Sequence, residues 1–202
     1  VGLQGNRSSL RGPRFHERLY LWFATDPAGF GLVAVESAKV VGFVAGARLG
    51  SGPAITRFTL GETVRALLNR PWLFAHPKIV EGIARKLVQA VRPRPPEITL
   101  PGPPGLATAS IVGIAVTPGW RGAGVGKSLL REFESVATAK GYRRGYLSVR
   151  AKNLAARRSY ERSGWLECEP NAGAVITYAK LIDLGLDEAA SSEGEAMVGQ
   201  SL

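Results

Sequence analysis

Apolar positions in RFHERLYLWFAT recur at helical spacing, with Phe15, Leu19, Trp22 and Phe23 on one side, and predict an amphipathic helix over 14–25. Asp26-Pro27-Ala28-Gly29 breaks it. Two valine-rich runs, GLVAV and VVGFVAGAR, flank the polar ESAK and predict a β-hairpin over 31–48. SIVGIAVT, at 110–117, reads as a buried strand. After a glycine-rich loop, Val125, Leu129, Phe133, Val136 and Ala137 share one helical face. That helix should end near Lys140, with Gly141 as its stop. GYLSVR predicts a strand, and NLAARRSYERSG a helix capped by Asn153 and stopped by Gly164. WLEC and AVITYAKL are closing strands. The chain shows no internal repeat.

Residues 49–109 have another character. GETVRALLN and KIVEGIARKLVQAV predict helices on either side of RPWLFAHP, and RPRPPEITLPGPPG predicts an extended Pro-rich loop. Two short helices bury too little to form a second core, so 49–109 reads as an insertion or lid. The element order predicts a single α+β domain over 1–182, a three-layer α/β/α arrangement around a mixed sheet. The segment 183–202 is small, polar and acidic, and is expected to be a disordered tail.

Composition narrows the classes. A hydrophobic content of 45% in 202 residues suits one globular domain. The one cysteine, Cys168, excludes an internal disulfide and a Cys-based zinc site, and no metal is expected. No apolar run reaches membrane-spanning length, and VGLQGNRSSLRGPR lacks the apolar core of a signal peptide. The expectation is a cytoplasmic protein with no membrane partner. Net charge is +10, and every Lys and Arg precedes Asp183. Such a body attracts anions, whether nucleic acid or a highly phosphorylated cofactor. No tight basic run or aromatic–basic interleaving marks a nucleic-acid platform, so no nucleic-acid partner is expected.

The candidate chemistry lies in GWRGAGVGKSLL, residues 119–130. A triphosphate P-loop needs Gly, four residues, then Gly-Lys-Ser/Thr. Counting back from Gly126-Lys127 puts Arg121 where that first glycine belongs, and Gly122 leaves the loop one residue short. The physics of anion binding survives. Small residues let backbone N–H groups converge ahead of a helix N-terminus. A plain glycine-rich turn before a helix stays open as the alternative.

VTPGWRGAGVGKSLL resembles the acetyl-CoA-binding signature of the GNAT family of N-acetyltransferases. Arg121, Gly124 and Gly126 meet its Gln/Arg-x-x-Gly-x-Gly/Ala pattern, after a strand ending in Val116-x-Pro118. In SVRAKNLAARRSYERSGW the Asn153, Tyr160 and Gly164-Trp165 spacing resembles the same family. The resemblance implies a mostly antiparallel central sheet of the acyl-CoA N-acyltransferase type. It also implies acetyl-CoA as cosubstrate and an amine as acceptor. Arg121, Gly122, Ala123, Gly124, Val125, Gly126 and Lys127 would cradle the pyrophosphate. Ile114, Ala115 and Val116 would pair with the pantetheine arm, and Asn153 would cap its helix, bond that arm, or both. Tyr160 would serve as the acid for the leaving thiolate, its alternative being a core aromatic. One branch of the family carries a Glu where this chain has Ser148, so either water relays the proton or the base is one of Glu36, Glu62, His76, Glu81 and Glu97. The function implied is N-acetylation of a small primary amine, an amino sugar or metabolite. A protein N-terminal or lysine acetyltransferase and a non-catalytic acyl-CoA-binding module are the alternatives. Family members are often homodimers, which this sequence does not itself show.

Overall fold

The structure, a computed structural model, describes residues 13–68, 99–172 and 174–182. Helix α1 (Pro13–Thr25) leads into strands β1 (Gly29–Glu36) and β2 (Lys39–Arg48), then helix α2 (Gly52–Leu68). Strand β3 (Thr108–Val116), helix α3 (Val125–Ala139), strand β4 (Arg144–Arg150) and helix α4 (Leu154–Arg162) follow. Strands β5 (Leu166–Ala172) and β6 (Val175–Leu181) close the chain order. One six-stranded sheet runs β1-β2-β3-β4-β6-β5. Every neighbouring pair is antiparallel except β3 and β4. That parallel pair needs a crossover, and α3 supplies it. The fold is the mixed, mostly antiparallel α+β type that the sequence implies.

Alternation along the strands divides the side chains between two faces. On one, Leu129, Leu130 and Phe133 of α3 pack with Phe30, Val44, Ile111, Leu147 and Tyr178. On the other, Trp22 and Phe23 of α1 cover Ala45 and Ala47, with Ile55 and Phe58 of α2 beside them. Gly46 is required for packing. A Cβ there would overlap the rings of Phe30 and Phe133, which stack with centroids 5.3 Å apart.

The hairpin turns through Ser37 (φ 48°) and Ala38 (φ 60°). Positive φ at both central residues gives a twist that suits a two-residue hairpin turn, but it favours Asn-Gly. A side chain at such a φ costs roughly 1–2 kcal/mol.

Most predicted elements are present with ends moved by a residue or two, although β5 runs on to Ala172. Helix α2 begins at Gly52, well before the predicted Gly61. Pro53 fits a first turn, where its missing N–H has no partner to lose. Thr56 and Thr59 turn their hydroxyls back onto Gly52 O and Ile55 O at 2.9 Å each. Arg18 Nε donates to Phe58 O at 3.0 Å and ties α2 to α1. The second predicted helix of the insertion, the first half of its Pro-rich loop and the acidic tail lie outside the described residues.

Candidate active site

Strands β3 and β4 pair only from Thr108 to Ile111, against Arg144 to Leu147. Beyond that level β3 stays with β2 as far as Val116, while β4 stays with β6 as far as Arg150. Two parallel strands therefore part in the middle of the sheet. Ile114, Ala115 and Val116 lie on the parted stretch, where the edge of β3 has no ladder partner among the described strands. Such an edge is a template for an extended, amide-bearing chain.

A bulge marks where the strands part. Gly46 faces Ile111 and Ala45 faces Gly113, so Val112 is an extra residue in β3. A bulge bends its strand and re-aims the side chains beyond it. Ile111 is in the α3-side core, and past the bulge Ile114 and Val116 pack on that same core. Ala115 lies toward α1 instead, beside Phe43.

The loop after β3 is fixed by its own hydrogen bonds. Thr117 N–H donates to Val41 O at 2.8 Å, and Arg121 N–H to Pro118 O at 3.2 Å. Arg121 Nε reaches back to Val116 O, also at 3.2 Å, so this arginine shapes the loop. Gly122 and Gly124 have φ of 85° and 82°, and a Cβ on either would meet nothing within 4 Å. They are needed for backbone angle and leave the loop open on its outer side. Ala123 between them is exposed. Helix α3 then begins at Val125 with no side chain capping it. Ser128 N–H bonds Gly124 O at 3.0 Å. By helix geometry the amides of Val125, Gly126 and Lys127 have no carbonyl within the helix. Lys127 is exposed at this end, where the helix dipole favours an anion. The open glycines, free amides and adjacent strand edge fit a ligand with a pyrophosphate and an amide arm.

Asn153 caps α4, its Oδ1 accepting from Ala156 N–H at 3.3 Å, which leaves its NH2 as a donor. Tyr160 is buried on α4, its ring centroid 5.8 Å from that of Tyr178. Tyr178 stands opposite Leu147, the last β4 residue paired with β3. Burial pushes the Tyr160 pKa above the usual tyrosine value, so the phenol keeps its proton. The neighbouring polar groups serve structure. Tyr178 OH donates to Glu161 at 2.7 Å and accepts from Arg157 Nε at 3.1 Å. Arg157 also pairs with Glu167 at 3.2 Å.

Of the candidate bases, Glu36 closes the hairpin opposite Lys39 and Glu62 is half-buried on α2. His76, Glu81 and Glu97 lie outside the described residues. Ser148 is exposed on β4 opposite Thr177. The sequence reading missed two features. One is the bulge, for which Gly113 inside an apolar strand was a signal. The other is a pocket of about 490 Å³ on the α1 side, reached by Tyr20, Phe43 and Thr117.

The family model described as "Acetyltransferase (GNAT) family" matches residues 5–165. This chain belongs to the GNAT family. It is therefore a member of an acetyltransferase family whose fold uses acetyl-CoA and an acceptor. Solved GNAT structures resemble it at low identity. One is an acetyltransferase of the GNAT family from Streptococcus pneumoniae, with 19% identity, covering 80% of this chain and 71% of that one at a TM-score of 0.45. Another is the PaiA N-acetyltransferase from Thermoplasma acidophilum in complex with coenzyme A, with 13% identity, 81% and 67% coverage and a TM-score of 0.49. A third is the ribosomal-protein-S18-alanine N-acetyltransferase from Escherichia coli, with 16% identity, 78% and 71% coverage and a TM-score of 0.45. No curated protein matches the chain in sequence. Among the described residues of this GNAT protein, no His, Cys, Asp and Glu cluster could hold a metal. No described helix is long and apolar enough to cross a membrane.

Proposed function

We propose that the protein is an acetyl-CoA-dependent N-acetyltransferase acting on a primary amine of a small molecule. The observation that carries this is the parting of β3 from β4 beside the open glycine loop. Loop amides at residues 122–127 hold the pyrophosphate, with Lys127 and the outer guanidinium nitrogens of Arg121 near the phosphates. The β3 edge at Ile114, Ala115 and Val116 pairs with the pantetheine amides, and Asn153 Nδ2 adds a donor from the far side of the gap.

The amine nitrogen attacks the thioester carbonyl carbon. The C–N bond forms, the C–S bond breaks, and the departing thiolate takes a proton from the Tyr160 hydroxyl. The nitrogen releases its proton to solvent, and Tyr160 regains one from solvent. The high pKa of a buried Tyr160 suits it to arrive protonated.

Transfer to a protein N-terminus is less well supported, because Ser148 stands where that branch carries a Glu. Thermal unfolding with acetyl-CoA, with Mg-ATP and with neither tests the donor. Ligand at a hundredfold its Kd adds about 2.7 kcal/mol, a rise of roughly 5–10 °C for a chain of this size. A rise with acetyl-CoA alone is expected. A rise with Mg-ATP alone would overturn the reading. Binding with no turnover on any amine would leave a non-catalytic acyl-CoA-binding module.

A further inference from the structure

The pocket of about 490 Å³ falls within the size range of small-molecule sites. Its walls include Tyr20 and Phe23 of α1, Val33 of β1, Phe43 of β2, and Ala115 and Thr117 at the end of β3. None of its described lining residues is Asp, Glu, Lys, Arg or His. Two further features set it apart from a simple apolar hollow. Ala115 belongs both to the pocket and to the parted edge of β3. Thr117, at the pocket wall, carries a hydroxyl oxygen that is shut from solvent with no hydrogen-bond partner among the described residues, an unmet polar group beside otherwise apolar walls.

We infer that this pocket takes the acceptor, and that the acceptor is a primary amine carrying an aryl or alkyl group. The inference rests on the N-acetyltransferase reading. The phosphate loop opens α3, on the opposite face of the sheet, so the donor comes to the gap from that side. The space beyond Ala115, toward α1, is left for the second substrate. Apolar walls favour a ring or alkyl chain that gains by leaving water. They penalise a sugar amine or polyamine, whose hydroxyl or ammonium groups would lose hydration and find no partners.

The same walls bear on the base, since none of the described lining residues is a carboxylate or a histidine. An ammonium ion is disfavoured in apolar surroundings, so the amine sheds its proton to water on entry and meets the thioester as the neutral nucleophile. No carboxylate from the hairpin or α2 is required.

Phenethylamine, ethylamine and glucosamine, compared as acceptors by thiol release from acetyl-CoA, test the inference. Equilibrium dialysis of each amine against the full chain saturated with coenzyme A gives binding independent of turnover. Phenethylamine is expected to lead the others in kcat/KM by at least about tenfold and to be the amine retained. Val33 is an exposed rim residue at 61% accessibility, and Val33→Asp is expected to shrink the phenethylamine-to-ethylamine ratio by about tenfold. A ratio cancels general damage to the fold. Preference for glucosamine, or a ratio that Val33→Asp leaves unmoved, overturns the inference while N-acetyl transfer stands. Phenethylamine bound by the wild type and lost in Val33→Asp, with no amine acetylated, supports the pocket chemistry and sinks the transfer reading instead. The absence of both binding and transfer overturns the inference. Octanoyl-CoA used in preference to acetyl-CoA, with Val33→Asp selectively impairing the octanoyl donor, assigns the apolar group to the donor and also overturns it.

Discussion

On the α3 side of the sheet, Phe133, Trp165 and Tyr178 are almost wholly shut from solvent and join Leu129, Leu130, Leu147 and Ile176 in one continuous core. On the α1 side the buried cluster is two aromatics, Trp22 and Phe23, lying on two alanines of β2. Large side chains fill the first face and small ones floor the second. The glycine loop, the first turn of α3 and the buried Tyr160 are thus held by the well-packed side. The pocket exists because Ala45 and Ala115 do not fill the space beneath α1. On the proposed reading, the donor takes the rigid, well-packed face and the acceptor the thinly floored one.

The sharpest way to break this comparison is to remove one tryptophan from each face. Trp165→Ala should cost about 3–5 kcal/mol and lower the global midpoint in a denaturant titration. Trp22→Ala should instead lose amide protection mainly along α1, while α3 and β4 stay protected, as read by hydrogen exchange. Equal global losses with uniform loss of protection would show that the two faces unfold as one unit.

Next in size is Tyr160→Phe. Turnover is expected to fall by about a hundredfold or more, with coenzyme A affinity nearly unchanged by calorimetry. Undiminished turnover would remove Tyr160 from the chemistry and leave it a packing residue of the donor face.

Alkaline pH sharpens the contrast more gently. Burial raises the pKa of Tyr160, and it is also the largest influence raising that of Tyr178. The unfolded chain therefore loses these protons first. Stability is fully present below about pH 10, the unfolded tyrosine value, and declines as pH rises through the raised folded values. Denaturant midpoints measured from pH 8 to 11 should show that decline, and it should be shallower in Tyr160→Phe.

The smallest effect belongs to the hairpin turn between β1 and β2. Ala38→Gly in the hairpin turn relieves a positive φ that alanine adopts poorly. It should raise the unfolding free energy by about 1 kcal/mol, checked by the urea midpoint at constant slope.

How much was legible in the sequence follows the same division. The α3 side is written in local patterns: the stripe from Val125 to Ala137, the glycines at 122, 124 and 126, and the Asn153 cap. Each depends on neighbours a few residues away, so spacing reveals it. The parting of β3 and β4 depends on which strands pair and for how long, and no local pattern encodes that. Tyr20 sits off the α1 core stripe and reads as a surface residue until Phe43, more than twenty positions later, is placed against it with ring centroids 5.6 Å apart. The start of α2 was hidden for a different reason. Gly52 and Pro53 look like breakers, yet at a helix start they are tolerated.

The extra residue Val112 has a consequence of its own. It sets the parity of everything after it on β3. Counted without interruption from Ile111, the strand would send Gly113 and Ala115 toward α3, and Ile114 and Val116 toward α1. The insertion exchanges the two sets, so the branched side chains go inward and the small ones border the open space. Drawing Val112 into the ladder, so that the bulge is straightened out, would act as a frameshift in three dimensions: every letter would be unchanged, and each one downstream would point to the wrong side of the sheet.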